Sequence, residues 1–226
     1  MSKINSHESN HSHIYTQTAP VTTGRTIRWA NHYDLVVKLL TFGREATIRN
    51  ETIRLAAIPD GASVLDVGCG TGTLTLLAKA QAGEQGMVYG IDASPEMIDV
   101  ARQKAFDQHQ DVNFQIGLIE ELPFSDSTFD VILSSMMFHH LPPNLKTRGL
   151  AEIYRVLKPG GRLLIVDMKR PTTRIQRWTL VALVHHEATR DVRDLLPLME
   201  QIGYVNTESG GTSWSILGFV QSSRLS

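Results

Sequence analysis

The stretch Val64-Leu65-Asp66-Val67-Gly68-Cys69-Gly70-Thr71-Gly72 constrains this chain more than any other. An aliphatic, β-branched run ends in three glycines at alternate positions, and a helical pattern from Thr73 to Ala80 follows at once. Glycine belongs where the backbone must turn sharply, or where a ligand must approach without a Cβ in the way. A strand that turns through such a loop into a helix presents unpaired backbone N–H groups beside that ligand. The pattern predicts a site for a nucleotide-like cofactor. Its spacing narrows the choice. The dinucleotide fingerprint G-x-G-x-x-G needs glycine at position 73, where this chain has Thr73, which disfavours a nicotinamide oxidoreductase.

A second acidic residue, Asp92, lies twenty positions after Gly72, at the end of the apolar run Met87-Val88-Tyr89-Gly90-Ile91. A carboxylate at such a place accepts both hydroxyls of a ribose. The competing reading makes Asp92 a helix cap, because Ser94-Pro95-Glu96 opens the next helix.

Apolar runs near 63–67, 87–91, 112–116, 129–134 and 162–167 alternate with segments whose apolar residues recur at three-to-four spacing, as in Met97, Ile98, Ala101 and Ala105. Strands interleaved with helices predict a parallel sheet covered on both faces. Leu195 to Gly203 reads as a last helix with Gly203 at its C-cap, and strands near 204–209 and 213–221 are expected to form a hairpin turning at Gly210-Gly211. The expected architecture is thus α/β: a Rossmann-like, seven-stranded, mostly parallel sheet with helices on both faces and a C-terminal antiparallel hairpin.

With these motifs in view, Asp66 to Gly72 resembles the first motif of the class I S-adenosylmethionine-dependent methyltransferases. Gly90 to Ile98 resembles their second-strand motif, Glu121-Leu122-Pro123-Phe124 with Phe129-Asp130-Val131-Ile132 the approach to their fourth strand, and Leu157 to Leu163 the turn into their fifth. Tyr33-Asp34 and the helix after it resemble the N-terminal cap of quinone-biosynthesis C-methyltransferases, and also that of some phospholipid and small-molecule N-methyltransferases. The resemblance implies S-adenosyl-L-methionine as cofactor, and a parallel sheet ending in one antiparallel strand. It implies that Asp66, Gly68, Cys69, Gly70 and Gly72 surround the methionine part, that Asp92 takes the ribose hydroxyls, and that Ala93 and Met97 flank adenine. Ser135, at the end of the fourth strand, joins this set. One position departs from the pattern: Gly117-Leu118-Ile119-Glu120 has no acidic residue directly after its glycine. Backbone groups of Leu118 and Ile119 are then expected to read adenine, with Glu120 facing solvent or a neighbouring helix.

Net charge is −1 with no basic block, which argues against nucleic acid as substrate. The one cysteine, Cys69, excludes an internal disulfide framework. Residues 1–27 are polar and read as a flexible tail, neither secretory signal nor membrane span, so a cytoplasmic protein is expected. Its histidines, His7, His11 and His13, are not read as a metal site. Residues 28–57 read as a helical cap over the sheet and 172–190 as an amphipathic substrate lid, too short for membrane insertion.

The fourth strand ends in Ser134-Ser135-Met136-Met137-Phe138-His139-His140-Leu141, without the Asn/Asp-Pro-Pro-Tyr/Phe clamp of enzymes that methylate nucleobase amines. Met136, Met137 and Phe138 offer either a soft apolar wall for a lipophilic or aromatic substrate or ordinary core packing. His139 or His140 is the candidate catalytic base, imidazole titrating near neutral pH. The leading expectation is methyl transfer to a small apolar or aromatic molecule, with quinone-type C-methylation first. Natural-product or phospholipid-headgroup O- or N-methylation, and a non-catalytic S-adenosylmethionine-binding regulatory module, stay open beside it. Oligomeric state is not legible.

Overall fold

Five consecutive buried residues, Ser63–Val67, form the central strand β1. In the computed structural model, which describes residues 43–170 and 191–226, β1 lies between β2 (Met87–Asp92) and β4 (Phe129–Ser135), parallel to both. The expected tail (1–27), the first part of the cap (28–42) and the lid (172–190) lie outside the described residues. β3 (Asn113–Ile116) pairs with β2 and β5 (Leu157–Met168) with β4, all parallel. β7 (Leu217–Arg224) runs antiparallel to both β5 and β6 (Tyr204–Gly211), giving seven strands in the order β3-β2-β1-β4-β5-β7-β6.

Side chains alternate across the sheet with the two-residue period of a strand. Leu65, Val67, Ile132, Leu163 and Ile165 join one core, completed by α4 (Pro143–Val156) and α5 (Leu196–Ile202). Val64, Leu133, Leu164 and Val166 face the other way into a second core, closed by α1 (Glu45–Ala56) and α2 (Thr73–Ala82). Leu65, Leu133, Leu150, Ile153 and Leu163 are fully buried, each contributing about 1.5–3 kcal/mol of transfer free energy. α3 (Pro95–Asp107) packs Ile98, Ala101 and Ala105 around Phe114. Among the described residues no helix is long and apolar enough to cross a membrane.

The expected seven-stranded architecture is the observed one, with three local corrections. β5 begins at Leu157 rather than 162: Phe129 pairs with Leu157, the ladder slips, and it resumes at Val131–Arg162. Lys158 pins that bulge by donating to both Asp130 oxygens at 2.8 Å. The glycines Gly210 and Gly211 lie inside β6, opposite Phe219 and Gly218, and the reversal falls at 212–216. A Cβ on Gly210 would sit 2.5 Å from Phe219 Cε1, so this glycine admits a ring and does not make the turn. Finally, the antiparallel strand does not end the sheet. The 212–216 turn folds β7 back between β5 and β6, leaving β6 at the edge.

Candidate functional site

The loop between β1 and α2 turns on three left-handed glycines, with φ +73° at Gly68, +54° at Gly70 and +77° at Gly72. L-residues adopt this conformation at a cost of about 1–2 kcal/mol each, so glycine is the residue that fits. Gly68 and Cys69 both donate backbone N–H groups to the Ile91 carbonyl at 2.9 Å, tying the loop to β2. Lys104 on α3 donates to the hydroxyls of Thr71 and Thr73 at 2.9 Å each, holding it from the other side.

Asp92 closes β2 beside this loop. Its Oδ2 accepts the Gly70 N–H and its Oδ1 the Ser94 N–H, both at 2.9 Å. The helix cap is Ser94, whose Oγ accepts the Met97 N–H at 3.3 Å, so capping α3 does not consume Asp92. Burial raises the Asp92 carboxyl above its usual range, against the pull of hydrogen bonds from Ser94, Gly70 and Ala93. Each carboxylate oxygen keeps a second lone-pair direction.

Asp66 points to the opposite side of β1 from Leu65 and Val67, toward α2, where the Thr75 hydroxyl donates to Oδ2 at 2.7 Å. Desolvation pushes it up to about 7, with Thr75 and the Arg49 charge lowering it and Asp92 raising it. The buried thiol of Cys69 is likewise pushed far up by desolvation and by the charges of Asp66 and Asp92, which removes it as a nucleophile.

These groups open onto a cavity of about 230 Å³ at the carboxyl ends of the strands, the place where open α/β sheets bind ligands. Asp66, Gly68, Cys69, Gly70, Asp92, Ala93, Met97, Leu118, Ile119 and Ser135 line it, so ten of the cofactor residues expected from sequence share one wall system. Gly72 stands outside it. A Cβ there would meet Phe114 Cζ at 2.6 Å and Ala101 Cβ at 2.8 Å, so Gly72 lets α2 start against α3 and β3. Glu120 does line the cavity, against expectation, because a tight turn bridging Leu118 and Glu121 swings it inward.

The two histidines part company. A single 3-10 turn, Phe138–His140, follows β4, and successive side chains on such a helix diverge by about 120°. His140 lines the cavity, with Met136, Met137 and Leu141. His139 is turned into the protein, its Nδ1 2.6 Å from Asp167 Oδ1, while its backbone N–H donates to Asp167 Oδ2 at 3.0 Å. Although burial opposes it, the His139 charge and hydrogen bond hold Asp167 below the usual carboxylate range. His139 therefore anchors the turn on β5 and does not reach the cavity, correcting its candidacy as a base.

The cap was expected over the sheet, but its individual cavity side chains were not singled out, nor was a contribution from the β6–β7 turn. From α1, Glu45, Ile48 and Arg49 line the cavity; Arg49 pairs with Glu45 through Nη2, while its buried Nη1 has no hydrogen-bond partner. From the other end of the chain come Trp214 and Leu217. The Glu45–Arg49 pair reads in sequence as an ordinary solvated i,i+4 pair. Trp214 falls within the strand expected near 213–221, where a large aromatic reads as ordinary strand packing.

Residues 64–161 match the family model described as a methyltransferase domain. The demethylmenaquinone methyltransferase of Symbiobacterium thermophilum is 36% identical over 151 residues, 66% of this chain and 59% of that protein. That of Bacillus cereus (strain B4264) is 35% identical over 144 residues, 63% of this chain and 60% of the other. The chain thus spans about three-fifths of the length of these relatives. A SAM-dependent methyltransferase structure from Aquifex aeolicus superposes with TM-score 0.63 at 24% identity, over 77% of this chain and 88% of the other. A TehB-like SAM-dependent methyltransferase structure from Corynebacterium glutamicum gives 0.64 at 20% identity, over 86% and 97%. These two show the fold.

By sequence, residues 64–161 match a methyltransferase domain, and by fold the chain is similar to S-adenosylmethionine-dependent methyltransferase structures. Within that class its sequence is similar to the demethylmenaquinone methyltransferases. The residues present fit S-adenosyl-L-methionine. A Cβ on Gly70 would project into open space, so the loop leaves room for a ligand against its backbone. Arg49 Nη1, on a guanidinium paired with Glu45 through Nη2, is a buried donor open to a further acceptor, and Asp92 has acceptor capacity to spare.

Proposed function

We propose that this protein transfers a methyl group from S-adenosyl-L-methionine to a small, apolar, aromatic acceptor, quinone-type C-methylation being the reading the observations favour. The observation that carries it is one cavity whose lining combines the glycine loop and Asp92 with the apolar side chains of Ile48, Met136, Met137, Leu141 and Trp214. The similarity to proteins named demethylmenaquinone methyltransferases supports the same acceptor class.

In this reading the cofactor supplies an electrophilic methyl carried on a sulfonium. The chain's own part is to hold both partners in line and exclude water. Asp92 receives the ribose hydroxyls through its second lone pairs, and Arg49 Nη1 receives the carboxylate of the methionine part. Ala93 and Met97 flank the adenine, with Leu118 and Ile119 backbone groups along its edge, and Ser135 borders the loop. Gly68 and Gly70 let the loop backbone lie against the cofactor. Met136 and Met137 form a polarisable wall at the acceptor side. His140 Nε2 or Nδ1 takes the proton the acceptor loses, either from a hydroxyl or from the ring carbon that has been methylated. The protein works in the cytoplasm, on a small molecule, without nucleic acid and without membrane insertion.

The test is a mass-spectrometric panel with S-adenosyl-L-methionine and candidate acceptors: naphthohydroquinones, catechols, phenols and ethanolamine headgroups. A mass gain of one methyl on a naphthohydroquinone carbon is the expected result. Methylation only of a hydroxyl or an amine would overturn the C-methylation reading in favour of O- or N-transfer. Absence of S-adenosylhomocysteine binding would overturn the enzyme reading itself.

A further inference from the structure

The β6–β7 turn is tied to α1, and both segments contribute side chains to the cavity. Ser213 donates its backbone N–H to the Glu51 carboxylate at 2.9 and 3.1 Å, and its hydroxyl to Glu51 Oε2 at 2.6 Å. These partners are 162 positions apart in sequence. Glu51 sits on the helix whose Ile48 and Arg49 line the cavity, so the bridge joins two walls of the same site.

The turn is also ordered from within. Thr212 Oγ1 donates to the Trp214 carbonyl at 3.0 Å and the Leu217 carbonyl at 3.2 Å, and it accepts the Trp214 N–H at 3.2 Å. Leu217 N–H returns to the Trp214 carbonyl at 2.9 Å, and Lys169 N–H holds the Ile216 carbonyl at 2.8 Å. Trp214 is therefore presented by a short, internally bonded turn clamped at Ser213. Its side chain is half-buried, resting on the core that contains Ile48, Val166, Met168 and Leu217 while also lining the cavity. A ring needed only for packing would be enclosed; this one keeps surface toward the site.

Position decides which ligand that surface meets. The cofactor cradle is built from the β1–α2 loop, the end of β2 and the 117–120 segment. Trp214 and Met136 pack against the core that contains Ile48, Val166 and Leu217, and both line the cavity. An indole held in the cavity wall beside a thioether favours a flat, conjugated ring over a saturated or branched molecule of equal volume. We propose that Trp214 is the acceptor-recognition residue, selecting planar aromatic acceptors by stacking, and that the Glu51–Ser213 bridge is the device that positions it. This rests on the methyl-transfer reading above, for which the acceptor was assigned only a class.

The experiment titrates the full chain, loaded with S-adenosylhomocysteine, with 2-naphthol and with its saturated counterpart decahydro-2-naphthol. Trp214→Leu, which keeps apolar bulk and removes the ring, is expected to weaken 2-naphthol about fivefold and decahydro-2-naphthol less than about twofold. Trp214→Phe restores most of the 2-naphthol affinity, and Glu51→Ala, which removes the acceptor for Ser213, lowers it with the indole itself unaltered. S-adenosylhomocysteine affinity stays the same in all three variants, which also reports that each is folded. Equal losses for both ligands in Trp214→Leu, or none, would overturn the stacking role. Native 2-naphthol affinity in Glu51→Ala would overturn the positioning role of the bridge. If the unaltered chain binds neither S-adenosylhomocysteine nor 2-naphthol, the methyl-transfer reading falls with it; if it binds both and the variants do not discriminate, only this proposal falls.

Discussion

The Gly70 backbone N–H donates to Asp92 Oδ2 across 2.9 Å, joining the glycine loop to the end of β2. One carboxylate thus fixes the shape of the glycine loop and faces the cavity at once. Replacing Asp92 removes both effects. Asp92→Ala is expected to weaken S-adenosylhomocysteine binding by about 1–3 kcal/mol, and Asp92→Asn by less, since one oxygen acceptor survives. Isothermal titration checks this, and an unchanged Kd in Asp92→Ala would refute the ribose assignment.

Arg49 provides a test of which end of the cofactor it meets. Its unpartnered Nη1 is buried in the cavity wall, so pairing with a carboxylate recovers a desolvation cost already incurred. Arg49→Gln should lower affinity for S-adenosylhomocysteine by about 1.5–3 kcal/mol. Binding of 5′-methylthioadenosine, which lacks the amino-acid part, should not change. Equal losses for the two ligands would place Arg49 elsewhere.

The three loop glycines should differ in what an added methyl costs. At Gly70 a Cβ meets nothing within 4 Å, so Gly70→Ala costs only the left-handed backbone, about 1 kcal/mol. Gly68→Ala adds a contact of 2.4 Å with Met137 Cγ, on a side chain flexible enough to yield in part. Gly72→Ala drives into the Phe114 ring and Ala101, both buried in a packed core, and should cost about 2–4 kcal/mol. Urea denaturation should rank stability as Gly70→Ala, then Gly68→Ala, then Gly72→Ala. For S-adenosylhomocysteine binding, Gly70→Ala should nonetheless be damaging, because its methyl enters the cavity.

Asp66 sets a pH dependence opposite to that of an ordinary ion-paired carboxylate. Desolvation raises it from 3.8 to about 7 in the folded protein, so the folded state binds more protons between those values. The stability it contributes is complete below about pH 4, declines as pH rises to about 7, and is gone above. The decline is on the order of a few kcal/mol, at about 1.4 kcal/mol per unit. Asp66→Asn, which keeps an acceptor for Thr75, should remove this slope and be the more stable protein at pH 8. Parallel denaturation curves for both proteins at pH 5 and pH 8 would contradict it.

Much of the fold is written locally. β1 and the glycine loop are legible because a buried strand, three left-handed turns and a helix start each leave a mark within a few residues. The end of β2 is legible for the same reason. Gly210 and Gly211 mislead for the complementary reason. A glycine pair signals a turn when read along the chain, yet Gly210 is glycine because Phe219, on the neighbouring strand, needs the space. His139 and His140 are equivalent in sequence, and only the 3-10 turn sends one to Asp167 and the other to the cavity.

What the sequence determined by itself is the order of the elements and the glycine loop with Asp92 that lines the cavity, since hydrophobic period and left-handed glycines act over a handful of residues. What only the tertiary structure decided is the rest of the cavity. Arg49 on α1 and Trp214 in the β6–β7 turn meet the β4 end only after the sheet is assembled and Glu51 has captured Ser213. No local pattern records a contact made across 162 positions, because it is fixed by packing and burial and not by the conformational preferences of either segment.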